Sequence, residues 1–131
     1  MKTLGLGKSG AQAFRPWGQV ASSARKRRRM PGWELTINDD GQTLVVKPRG
    51  ELDLLTAPEL AEAFAQCSDG HRAIICDLSE VEFMDSTGLR LMITTRQAEP
   101  DRFGIACPSE PVERLFELTG TTNFFRRIEG E

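Results

Sequence analysis

The 131-residue chain is long enough for one ordinary domain and too short for two, and 39% hydrophobic with 27% charged residues excludes a wholly disordered or membrane protein. No uninterrupted apolar stretch approaches the roughly 20 residues that span a bilayer, and the basic N-terminus lacks the apolar core of a secretory signal, so a cytoplasmic location is expected. The net charge of -2 hides a division: residues 1–29 carry eight Lys or Arg and no acid, leaving nine basic residues against all 19 acidic ones in the remainder. So acidic a domain is a poor match for phosphate, and direct nucleic-acid binding is not expected.

Residues 1–29 end in Arg25-Lys26-Arg27-Arg28-Arg29 and show no sustained periodicity. They read as a basic, disordered leader, with the domain over 30–131. Met30 directly follows the arginines, and a purine-rich ribosome-binding stretch read in frame yields arginine, which makes Met30 a candidate natural start.

From Trp33 the elements follow in order. Trp33-Glu34-Leu35-Thr36-Ile37 alternates apolar and polar residues as a half-buried strand does, Asn38-Asp39-Asp40-Gly41 signals a turn, and Thr43 to Gly50 supplies the returning strand of a hairpin. Thr56 with Glu59 three residues later has capping-box spacing, with Pro58 in the first turn and Leu60, Ala63, Phe64 and Cys67 on one helical side. Arg72 to Leu78 is a short β-branched apolar run, a buried strand. Leu89, Met92 and Ile93 then repeat at helical spacing. Phe103 to Cys107 is a further strand, and Ser109 is placed to cap a helix whose Val112, Leu115 and Phe116 share a side and whose end is marked by Gly120. Phe124 to Ile128 closes the series as a last strand. Strands alternating with helices predict an α/β domain: a mixed, mostly parallel sheet of about four or five strands with covering helices.

Cys67, Cys76 and Cys107 are too few and too scattered for a disulfide framework or a paired-ligand zinc site and read as buried thiols, so no metal and no cofactor are expected.

Phe83-Met84-Asp85-Ser86-Thr87-Gly88-Leu89 sets a hydroxyl beside an acid at a strand-to-helix junction. On residue chemistry, Ser86 reads either as an N-cap or as a free hydroxyl, with Asp85 taking the cap. It is not a hydrolase nucleophile, because Met84 replaces the elbow glycine and His71, the lone histidine, sits in a turn. No Gly-rich phosphate loop is present, so the chain is not expected to be an enzyme or to bind ATP.

This run, together with Gly50-Glu51-Leu52-Asp53, Thr56-Ala57-Pro58-Glu59-Leu60, Asp77-Leu78-Ser79 and Leu115-Phe116-Glu117-Leu118-Thr119-Gly120, resembles STAS domains of the bacterial anti-sigma-factor antagonist family in order and approximate spacing. The resemblance covers about Trp33 to Ile128. It implies a protein that binds an anti-sigma factor, itself a serine kinase, and releases a sigma factor until phosphorylated at Ser86, with Thr87 as the secondary acceptor and a phosphatase restoring the active form. Asp53, Asp85, Ser86, Thr87, Gly88 and Arg90 are the implied partner surface. Arg90 departs from the family, where several relatives have a smaller residue. A regulatory subunit of an ABC transporter and a stressosome-type scaffold are the alternative roles.

Overall fold

The computed structural model describes residues 25–128. Its elements are β1 (Arg25–Met30), β2 (Trp33–Asp39), β3 (Thr43–Leu52), α1 (Ala57–Phe64), β4 (Ala73–Asp77), β5 (Glu80–Met84), α2 (Ser86–Ala98), β6 (Phe103–Ala106), α3 (Glu110–Thr119) and β7 (Arg127–Ile128). The strands form one sheet in the order β1-β2-β3-β4-β6-β7, with β5 also on β3. Pairing is antiparallel among β1, β2 and β3 and parallel elsewhere. The expected mixed, mostly parallel α/β fold is present, with seven strands among the described residues rather than four or five.

The two additional strands escape periodicity for different reasons. Arg25–Arg29, assigned from sequence to a disordered leader, lie in β1, paired to β2 from Arg25 opposite Ile37 to Met30 opposite Trp33. Backbone pairing satisfies the open edge of β2 whatever the side-chain pattern, so a run of like charges conceals it. Residues 1–24 lie outside the described part. In β5, the register passes from Gly50 opposite Val81 to Glu51 opposite Phe83, so Glu82 is an extra residue. That bulge breaks the alternation and leaves both Glu82 and Phe83 exposed.

Strand β3 organises the molecule. On one side it pairs with β2; on the other, its first half takes β4 at Thr43–Val46 and its second half takes β5 at Arg49–Leu52. Leu44, Val46 and Leu52 of β3, Ile74 and Cys76 of β4, and Phe103 and Ile105 of β6 meet Leu60, Ala63 and Phe64 of α1, Leu89 and Met92 of α2, and Val112 and Phe116 of α3 in one core. The sequence stripes of all three helices are thus their buried sides.

Local details differ from the spacing rules. Thr56 and Glu59 form no capping box: the Thr56 hydroxyl donates to the Glu51 carbonyl at 2.8 Å, and Glu59 accepts the Trp33 indole N–H at 2.7 Å. Ser109 is the N-cap of α3 without a side-chain cap, its hydroxyl donating instead to the Val81 carbonyl at 2.6 Å. Gly120 ends α3 with φ 73°, as its position predicts. Among the described residues the last strand is Arg127–Ile128, starting later than Phe124 because Phe125 turns inward onto Phe116 with ring centroids 4.9 Å apart. Cys76 is buried and Cys67 half-buried, whereas Cys107 is exposed, since β6 ends at Ala106 and the chain turns outward with φ 48° at Cys107.

Candidate functional site

The site is built where β3 and β5 end side by side. Leu52 and Met84 are the last paired residues, so Asp53 and Asp85 leave adjacent parallel strands at the same level. The backbone N–H of Asp85 donates to the Leu52 carbonyl at 3.1 Å, joining the two exits. Carboxyl ends of parallel strands are where α/β folds expose their binding loops.

Each exit is shaped by its aspartate. Asp53 Oδ1 accepts the N–H groups of Leu55 at 3.0 Å and Thr56 at 3.2 Å, and its own N–H donates to Thr56 Oγ1 at 2.9 Å. This tight turn leads into α1 and turns Leu54 and Leu55 outward. Asp85 is the N-cap of α2: Oδ1 accepts Thr87 N–H at 2.9 Å and Gly88 N–H at 3.1 Å, while its carbonyl takes Leu89 N–H at 3.0 Å. Gly88 lets the helix close onto β3, for a Cβ there would stand 2.8 Å from Leu52 Cγ and from Met84 Cγ.

Asp85 therefore takes the capping role and frees Ser86. Ser86 is the first helical residue, exposed, and its hydroxyl makes no hydrogen bond among the described residues. Thr87 is half-buried beside it, and Arg90 is exposed one turn further along α2. Asp53, Asp85, Ser86, Thr87, Gly88 and Arg90 thus fall at one end of the sheet.

His71 is not part of this constellation. It lies just before β4, whose first residue pairs with Thr43, nine positions along β3 from Leu52 and so roughly 30 Å away. Buried, its Nδ1 accepts the Ser68 N–H at 2.9 Å, which leaves the proton on Nε2 to be donated to Asp39 Oδ1 at 2.8 Å. The ring is a structural tie between two loops, buried more deeply than its turn position suggests.

The residues that sequence reading missed are apolar. Leu54 and Leu55 are 70% and 72% exposed, Phe83 50% and Leu118 79%. Phe83, Met84, Pro111, Leu115 and Leu118 line a groove of about 340 Å³ between β5 and α3, with Glu110 and Arg114 also on its wall and paired at 3.3 Å. Two consecutive leucines between a turn aspartate and a helix start were the legible signal, since such a turn lies on the surface.

Residues 34–130 match the STAS domain. The chain belongs to the STAS domain family. Among STAS relatives, it is 40% identical over 89 residues to the anti-sigma-B factor antagonist of Staphylococcus aureus, covering 65% of this chain and 82% of that protein. It is 33% identical over 95 residues to the anti-sigma-F factor antagonist RsfB of Mycobacterium tuberculosis, covering 70% and 78%. A crystal structure of an anti-sigma factor antagonist from Mycobacterium paratuberculosis superposes with TM-score 0.65 at 31% identity, over 76% of this chain and 89% of that one. The Bacillus cell fate determinant SpoIIAA, in its phosphorylated form, shares the fold at TM-score 0.53 and 18% identity, over 83% and 92%. These relatives are bacterial regulatory proteins. Among the described residues, no helix is long and apolar enough to cross a membrane.

Proposed function

We propose that this STAS domain is an anti-sigma-factor antagonist: unphosphorylated, it binds an anti-sigma factor with serine-kinase activity, releasing a sigma factor in the cytoplasm. The kinase transfers the γ-phosphoryl group of its ATP to Ser86 Oγ, with ADP leaving and the hydroxyl proton lost, and a phosphatase hydrolyses the ester to restore binding. The observation that carries this reading is the division of labour at the head of α2, where Asp85 makes the cap and the exposed Ser86 hydroxyl is left over. Exposed Leu54, Leu55 and Phe83 at the same end of the sheet supply apolar surface for docking.

The switch needs no refolding. Phosphate adds about 1.5 to 2 negative charges beside Asp85, and a loss of ~3 kcal/mol in docking already weakens binding more than a hundredfold. The test pairs two variants against the cognate anti-sigma factor. Ser86→Ala is expected to bind and to resist phosphorylation, and Ser86→Glu to bind weakly. Normal phosphorylation of the alanine variant would refute the assignment.

A further inference from the structure

A phosphate on Ser86 meets an occupied helix terminus. Oδ1 of Asp85 holds the amides of Thr87 and Gly88, and its carbonyl holds that of Leu89. Those three donors are closed to a new anion unless the cap opens, and the Asp85 carboxylate adds repulsion. A cation that the cap does not engage would give that phosphate a partner.

The helix carries two candidates, Arg90 and Arg96. Arg96 is committed elsewhere, its guanidinium donating to the Phe124 carbonyl at 3.2 Å and the Pro100 carbonyl at 3.0 Å. Arg90 is exposed and forms no ion pair or side-chain hydrogen bond among the described residues. It stands four residues after Ser86, on the same helix face at about 5–6 Å between Cβ atoms. Helical side chains lean toward the N-terminus, so Arg90 covers the surface of the turn that carries Ser86. An anion preceding a cation by four residues is also the more favourable order.

We propose that Arg90 is the intramolecular clamp of phosphorylated Ser86, its guanidinium donating to phosphate oxygens one helical turn away. The inference rests on Ser86 being the phosphoacceptor and adds a function for a residue facing the partner. Phosphorylation then does more than add negative charge, because it also withdraws a free arginine from the docking surface. Replacing Arg90 by a small residue would leave the phosphate fully exposed beside Asp85.

The experiment uses the full chain with phosphoserine installed at position 86 during translation, so that no kinase is required. Phosphorus NMR follows the second phosphate ionisation, at about pH 6 for a free phosphoserine. A guanidinium favours the dianion, so Arg90→Gln is expected to raise that pKa by about 0.3 unit, a twofold change in the ionisation constant. Arg90→Lys is expected to restore part of the shift, and the difference should shrink in ~1 M salt. Identical titrations for the arginine and glutamine proteins would overturn the clamp. A separate kinase assay on the unmodified chain tests the phosphoacceptor reading, so either idea can fail while the other stands.

Discussion

Gly88 on α2 packs so tightly on Leu52 at the end of β3 that a Cβ on the glycine would stand 2.8 Å from the leucine Cγ and 3.0 Å from its carbonyl oxygen. The same carbonyl accepts the Asp85 N–H, so this contact sets the seat of the helix that presents Ser86. Gly88→Ala is expected to cost about 1–3 kcal/mol by overpacking, and to weaken anti-sigma-factor binding as the first turn is pushed outward. Urea denaturation and a binding titration on the same sample check both, and an unchanged unfolding midpoint would show that Leu52 yields at no cost.

Asp85 is expected to act through its cap. Asp85→Ala should lose about 1 kcal/mol of stability, while Asp85→Asn, which keeps an acceptor oxygen, should lose far less. If the two variants unfold alike, the carboxylate charge rather than the cap geometry matters.

Thr56 is buried, and its hydroxyl joins the Glu51 carbonyl and the Asp53 N–H. Thr56→Val keeps the shape and removes both bonds, leaving two backbone groups without this partner, so a loss of about 1–3 kcal/mol is expected. Hydrogen exchange should show the Asp53 to Thr56 turn loosened ahead of the sheet.

Leu54 and Leu55 contribute little to the fold at their exposure. Leu54→Glu combined with Leu55→Glu is expected to leave the unfolding midpoint nearly unchanged while reducing affinity for the anti-sigma factor at least tenfold. Retained affinity would move the docking surface away from the Asp53 turn.

The thiols should separate by reactivity. Burial, and secondarily Asp77, pushes the Cys76 pKa well above the ordinary thiol value of 9.0. In native protein, an alkylating reagent should therefore leave Cys76 intact and modify exposed Cys107, whose own pKa is raised mainly by desolvation. The folded pKa of Cys76 exceeds the unfolded one, so the unfolded chain binds fewer protons in alkali. Stability from this group is full below pH 9.0 and is lost as pH rises above it. A denaturation series from neutral to alkaline pH, compared with Cys76→Ala, measures that loss.

Much of this arrangement was legible in the chain. The stripes Leu60-Ala63-Phe64, Leu89-Met92 and Val112-Phe116 became the buried sides of three helices, because burying an amphipathic face against a sheet is the dominant gain for such segments. The Asp85-Ser86 junction was visible too, since strand and helix periodicities meet there. Other features were not local. The Thr56–Glu59 spacing pointed to a capping box, yet the Trp33 indole, 26 residues away in sequence, took Glu59, while the Thr56 hydroxyl turned back to Glu51 at the end of β3.

Residue pattern alone established the three helices with their core sides, five of the seven strands among the described residues, and a hydroxyl flanked by an acid at a strand-to-helix junction, because these depend on neighbours within a few turns. Tertiary structure decided that Asp85 rather than Ser86 caps α2, that Asp53 stands next to Asp85, and that Leu54, Leu55 and Phe83 share their end of the sheet. The physical reason is the register of β3 against β5, where Leu52 opposite Met84 and one bulged residue, Glu82, bring two loops about thirty residues apart to the same level.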